Sequence, residues 1–433
     1  MPTREVVQVQ SPAFELGPHF ARQLDQDDEL ASFRDSFCFP EPELIYLDGN
    51  SLGRLVTGTS KRVQEMVQDE WGRDLIRSWN AGWYEAPLRL GEKIAKMLGA
   101  APGQVLVGDS TSVNLFKLVM AALVLRPERK RIVSDVLNFP SDLYVVQGVV
   151  GLLGGRHHLY LAPSADGIFP DLEALFDAIG RDTALVTLSH VSFKSGYLYD
   201  MAAVTRRAHE AGALVLWDMS HSVGVVPADL DRLGVDMAVG CTYKYLNGGP
   251  GSPAFLYLRR ELQSEALSPI WGWFGGRAPF EFDLEYEPAE GIARFLVGTP
   301  PILSLQALEP ALDLMLAAGI GRIRAKSVLL TGYLIDLTEA LLEPLGFTLG
   351  SPADSRWRGS HVSIRHPAAY RINRALIEEM GVIPDFREPD NLRLGLAPLY
   401  TRFADVWEAV DRIRRVVEMD RFGHYPAERL RVT

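Results

Sequence analysis

Ala213-Leu-Val-Leu-Trp-Asp-Met-Ser-His221 and Met237-Ala-Val-Gly-Cys-Thr-Tyr-Lys-Tyr-Leu-Asn-Gly-Gly-Pro-Gly251 decide how this chain is read. Each begins as a short apolar run and ends in polar, turn-forming residues, the signature of a buried strand entering a loop. Working outward, the same pattern recurs at Gln104-Val-Leu-Val107, Arg131-Ile-Val-Ser134, Ala184-Leu-Val-Thr-Leu188 and Ala254-Phe-Leu-Tyr-Leu258. Between these runs, 113–125, 141–153, 171–179 and 201–211 have helical periodicity. Strands alternating with helices predict an α/β fold with a mostly parallel sheet. Functional residues are then expected in loops beyond the carboxyl ends of the strands.

Upstream, 60–79 and 88–98 read as amphipathic helices, the second stopped by Gly99 and Pro102. Downstream, a Gly-, Trp- and acid-rich stretch at 269–301 breaks the rhythm. Long helical patterns follow at 302–319 and 321–344, then short strands at 361–365 and 392–396 with two more helices. The expected division is an N-terminal arm and substrate-side loop (1–60), a large cofactor-binding α/β domain (61–305) and a small α+β domain (306–433) that the arm completes.

Composition narrows the function. A chain of 433 residues exceeds one ordinary core, and a net charge of −11 argues against a nucleic-acid surface. Only Cys38 and Cys241 occur, in no metal-ligand or disulfide spacing. Met-Pro-Thr-Arg-Glu lacks an apolar signal core, and no uncharged apolar run approaches about 18 residues. The expectation is a cytoplasmic enzyme without metal, membrane or nucleic acid.

The chemistry starts from Lys244 and Asp218. A lysine among small and aromatic residues, with a carboxylate at the end of a nearby strand, suits a Schiff-base lysine and its pyridinium partner, the means of holding pyridoxal phosphate. A solvated lysine and a helix-capping aspartate are the plain alternatives. His221 flanks the ring or the phosphate, or is merely hydrogen-bonded. Gly108-Asp-Ser-Thr-Ser-Val-Asn114 opens a helix where Thr111 and Ser112 read equally as caps or as a phosphate cradle. Phe139-Pro140-Ser141-Asp142 offers an aromatic to lie over a flat ring and a second acid. Arg393, a cation inside the apolar Asn391-Leu-Arg-Leu-Gly395, suits an α-carboxylate because a guanidinium donates two parallel hydrogen bonds.

Together these segments resemble kynureninase, a fold-type I pyridoxal-phosphate enzyme of the class V aminotransferase-like superfamily. Leu47-Asp-Gly-Asn-Ser-Leu-Gly53, Phe139-Pro-Ser-Asp142, Cys241-Thr-Tyr-Lys-Tyr-Leu-Asn-Gly-Gly-Pro-Gly251, Gly272-Trp-Phe-Gly275 and Leu392-Arg-Leu-Gly-Leu-Ala-Pro398 stand in family order. The resemblance implies hydrolysis of L-kynurenine to anthranilate and L-alanine in tryptophan catabolism and NAD biosynthesis. It implies that Lys244 bonds the cofactor aldehyde and that Asp218 pairs with the ring nitrogen; Tyr243, a phenol near the cofactor phosphate, is the candidate for moving protons, with phosphate hydrogen bonding alone as the alternative. Thr111, Ser112, Phe139, Pro140, Ser141, Asp142, Ser189, His221 and Tyr243 match cofactor contacts. Trp273 and Thr299 match positions reaching the neighbouring subunit's phosphate, so a homodimer with shared sites is implied. Arg393, Asn50 and Ser51 match the substrate side. Gly298-Thr-Pro-Pro301 looks like the form favouring kynurenine over its 3-hydroxy analogue, while Trp79 and Trp83 are both candidates for the aryl pocket.

Three rivals remain. A class V aminotransferase shares these parts. A cysteine desulfurase needs a mobile thiol, which neither Cys38 nor Cys241 supplies. A non-catalytic relative would not need Lys244, Asp218 and Arg393 together.

Overall fold

The computed structural model describes residues 14–426 and Glu428. The first residues of the arm, on which the reading of a missing signal core rests, and the last of the small domain lie outside them. Seven strands form the main sheet, in the order Val105–Val107, Phe255–Leu258, Met237–Gly240, Leu214–Asp218, Thr183–Ser189, Arg131–Asp135, His158–Ala162. Phe255–Leu258 runs antiparallel to both neighbours, and the other pairings are parallel. His158–Ala162 is the strand absent from the sequence reading. It lies at the edge of the sheet and exposes alternate side chains, so it lacks the apolar run that marks a buried strand.

Period-two alternation builds a core on each face. Val105, Val107, Val133, Val186, Leu188, Val215 and Trp217 point to one side; Leu106, Ile132, Leu185, Leu214, Leu216 and Val239 point to the other. Helix Ala86–Leu98 closes on its strand because Gly91 lets the backbones meet: a Cβ there would lie 2.2 Å from the Val105 carbonyl oxygen.

The stretch read as one helix over 60–79 is three pieces. An α-helix spans Thr57–Glu65, a π-helical segment Met66–Asp74 and a 3₁₀ turn Leu75–Ala81. Leu75 takes φ 56°, which ends the helical run, and Trp71, Leu75 and Ile76 are left exposed.

A four-stranded antiparallel sheet, ordered Asp385–Arg387, Asn391–Gly395, His361–Arg365, Thr348–Leu349, organises the C-terminal part. Its core takes Leu330, Leu334, Leu376, Leu392, Leu394, Val406 and Val410, together with Phe20, Ile45 and Leu47 from the arm. Ile45–Tyr46 pairs in parallel with Val382–Ile383. Helix Ile302–Ala318 sends Leu305, Leu308, Leu312 and Met315 into the core of the large sheet. No helix among the described residues is by itself long and apolar enough to cross a membrane; the pair Ile302–Ala318 and Ile320–Leu345 reaches that length only across an 81° bend.

Candidate active site

The lysine loop is pinned on several sides. Gly240 ends its strand under Phe255, whose ring leaves 2.6 Å for a Cβ. Thr242 donates to the Pro253 carbonyl at 2.6 Å and accepts from the Ser252 hydroxyl at 2.6 Å. Asn247 turns back at φ 56° and donates its N–H to the Lys244 carbonyl at 2.9 Å. From the arm, the Gly53 N–H reaches the Tyr243 carbonyl at 2.8 Å. These contacts set Lys244 Nζ 3.2 Å from His221 Nε2 and 5.8 Å from the centre of the Phe139 ring.

Asp218 ends the neighbouring strand, and its Oδ1 accepts the Ser220 N–H at 2.8 Å. Asp142, from the first turn of helix Pro140–Leu152, lies beside it, and both carboxyls are buried. Burial first, and the Asp218 charge second, push the Asp142 carboxyl well above the usual range. Asp142 Oδ2 has no hydrogen-bond partner among the described residues. Lys244 offsets this only in part, and an unpartnered carboxyl oxygen beside a second buried carboxyl suits a cationic N–H donor; a pyridinium N–H is such a donor. Burial, then Lys244, hold His221 well below the ordinary imidazole range. It is therefore a neutral ring at physiological pH.

Thr111 and Ser112 are the first two residues of helix Thr111–Leu125, where unpaired N–H groups face outward. Ser110, not either of them, is the cap: its hydroxyl accepts the Val113 N–H at 3.4 Å. That leaves the Ser112 hydroxyl to meet Ser141 Oγ at 3.2 Å, which ties the turn to Phe139-Pro140-Ser141-Asp142. An anion at this helix start gains from the dipole and the hydroxyls alike. Ser189 donates to Asn138 Oδ1 at 2.7 Å, and Phe139 meets Phe193 edge-on at 5.2 Å.

Arg393 is buried, with Nη1 on the Phe193 carbonyl at 2.5 Å and Nη2 on Ser51 Oγ at 3.0 Å. The Asn50 amide, oriented to satisfy both its ends, accepts from Arg393 Nε at 2.8 Å. Asn50 and Ser51 therefore both meet the arginine. Trp273 and Thr299 are exposed, and among the described residues neither makes a hydrogen bond or ring contact with Lys244, whose side chain meets His221, Phe139 and Tyr243. Trp79 and Trp83 stack edge-on at 5.7 Å; Trp79 packs on Phe274, whereas Trp83 donates to Glu70 at 2.6 Å.

A family model described as the kynureninase C-terminal domain matches residues 323–413, a span that includes Arg393. The chain is 46% identical over 400 residues to a kynureninase of Pseudomonas fluorescens, covering 91% of this chain and 94% of that one. A kynureninase of Burkholderia pseudomallei is 45% identical over 405 residues, covering 92% and 95%. The chain belongs to the kynureninase family. Among solved structures, a cysteine desulfurase from Thermococcus onnurineus NA1 superposes with a TM-score of 0.76 at 19% identity, covering 90% of this chain and 98% of that one. At that identity the likeness bears on the fold, which is the fold-type I architecture expected.

Within this kynureninase-family site, sequence reading missed Asp385, Asn138 and His361. Asp385 lies directly across the sheet from Arg393 and forms an ion pair with it. Asn138 takes the Ser189 hydroxyl, and the His361 ring centre lies 5.6 Å from that of His221. Asp385-Phe-Arg387 carries no local motif; only strand register brings it to the arginine. Asn138 had a signal in its position next to Phe139, at the carboxyl end of a strand.

Proposed function

We propose that this chain hydrolyses L-kynurenine to anthranilate and L-alanine in tryptophan catabolism, with pyridoxal 5'-phosphate as cofactor. The carrying observation is kynureninase likeness over nine-tenths of the chain, supported by the convergence of Lys244, Asp218 and Asp142 beside a buried arginine. One water is consumed: its oxygen goes to the aryl acyl carbon, and the alanine β-carbon gains a hydrogen. When bound, pyridoxal phosphate withdraws electrons from the amino acid's α-carbon, so that bonds near that carbon can break.

The residues present fit that group. Lys244 supplies the amine, Asp218 and Asp142 the anionic end for a ring nitrogen, Thr111 and Ser112 a phosphate cradle, and Phe139 an aromatic wall. Pro140 and Ser141 hold the segment carrying Asp142, and Ser189 and His221 complete the contacts. Lys244 Nζ is the group that moves the substrate α-proton, and neutral His221 beside it accepts its hydrogen bond. Burial raises the Tyr243 phenol well above its ordinary range, so it meets substrate protonated and relays a proton only in concert with a base that takes one up. Arg393, steadied by Asn50 and Ser51, forks the α-carboxylate.

A homodimer with shared sites completes the proposal. Trp271, Phe280, Phe282 and Leu284 expose 61%, 60%, 70% and 103% of their surface around Trp273, and such apolar exposure favours a partner subunit. Trp273 and Thr299 would then serve the neighbour's cofactor phosphate. The Gly298-Thr299 loop supports a preference for kynurenine over 3-hydroxykynurenine. The unpaired thiols Cys38 and Cys241 support a cytoplasmic setting. Purified holoenzyme given kynurenine without a keto acid should release equimolar anthranilate and alanine. A strict requirement for a keto acid, or no anthranilate at all, would make it an aminotransferase or another relative.

A further inference from the structure

We infer that Asp385 is a positioning residue: it holds the Arg393 guanidinium so that the α-carboxylate of the substrate meets a fixed fork. This rests on the reading of Arg393 as the carboxylate site. Strands Asp385–Arg387 and Asn391–Gly395 run antiparallel with Asp385 directly opposite Arg393, so both side chains leave the sheet on one face. Their side chains are only 1% and 2% exposed, and Asp385 Oδ2 bonds Arg393 Nη2.

Arg387, two residues along the same strand and hence on the same face, takes the other oxygen at 2.9 Å. One carboxylate therefore stands between two guanidinium groups. Ser51 Oγ bridges the pair, 3.0 Å from Arg393 Nη2 and 3.5 Å from Asp385 Oδ2.

A count of donors shows what this arrangement leaves open. Arginine has five N–H groups. Nε serves Asn50, the two hydrogens of Nη2 are shared among Ser51, Asp385 and, at 3.2 Å, Asn50, and one hydrogen of Nη1 serves Phe193. Among the described residues the uncommitted hydrogen is on Nη1, so any fork offered to a carboxylate includes that nitrogen and shares its second donor with an acceptor already in place. Its direction depends on the anchor at Nη2. Without Asp385, the buried Arg393 would lose the carboxylate it shares with the half-exposed Arg387, and the fork would swing away.

The test titrates the holoenzyme with L-alanine and with L-alaninamide, followed by the visible absorption change. Asp385→Asn should weaken L-alanine by roughly ten- to hundredfold, the cost of misplacing a bound group by about 1 Å. L-alaninamide, which has no carboxylate, should change less than about twofold, and the ligand-free spectrum should match wild type. Asp385→Glu restores the charge and should recover part of the L-alanine affinity. It also serves as the deciding variant, by the same selectivity, if Asp385→Asn yields no folded holoenzyme. Equal weakening of both ligands, or of neither, overturns the inference. Arg393→Gln separates the two levels of argument. If it too spares the L-alanine affinity, the carboxylate site is elsewhere; if it alone weakens L-alanine selectively, the site stands and Asp385 does not position it.

Discussion

Replacing Asp48 with asparagine should stabilise the protein at pH 8 and leave its stability unchanged at pH 4. Asp48 sits half-buried in the arm where it passes the Arg393 cluster, and its Oδ1 has no hydrogen-bond partner among the described residues. Burial first, and the Asp385 charge second, raise its carboxyl from 3.8 to about 6. Because the folded value lies above the unfolded one, the folded state keeps a proton between about pH 4 and 6 that the unfolded state has released. Stability therefore falls as pH rises through that window, and the penalty is complete above it. The displacement corresponds to about 3 kcal/mol, and partial exposure trims this to about 1–3 kcal/mol. If the whole chain unfolds as one unit, its unfolding entropy turns that into a rise in melting temperature of roughly 1–3 °C. Denaturant midpoints and melting curves for wild type and Asp48→Asn at pH 4, 5, 6, 7 and 8 would trace the difference. A gain equally large at pH 4, or a loss at pH 8, would refute the idea that an ionised carboxylate is the source of strain.

Other consequences are testable on the same preparation. Lys244→Ala should abolish the visible absorption of a covalently held cofactor and lower turnover by at least about a thousandfold; a persisting wild-type band would move the attachment elsewhere. Gly91→Ala should cost about 1–3 kcal/mol or more in a urea titration, because its Cβ would meet backbone atoms of Val105 at 2.2 and 2.8 Å and of Leu106 at 3.0 Å. An unchanged midpoint would mean that the helix can shift freely on its strand. Lys244→Ala and Trp273→Ala, each inactive alone, should on random subunit mixing recover about a quarter of wild-type activity if sites are shared across a two-fold interface; no recovery would place both residues in one subunit's site.

Sequence reading went far where the signal is local. The strands ending at Asp218 and Gly240, and the helix opening at Thr111, are marked by apolar runs and turn residues within one window. Lys244, Asp218 and Asp142 therefore stood out as candidates before any contact was known. The edge strand His158–Ala162 escaped because it buries little. The break at Leu75 escaped because apolar periodicity continues across it while the backbone does not.

What the order of residues determined alone was the layer plan and which groups are candidates for the chemistry, since both depend on side chains within a few positions of one another. What only the folded chain decided was pairing over distance: Asp142 against Asp218, His221 beside Lys244, and Asn50, Ser51 and Asp385 around Arg393. Those contacts join segments that are far apart along the chain. They arise from strand register and helix packing, and a burial energy summed over the whole core sets them. No single window of sequence contains that sum.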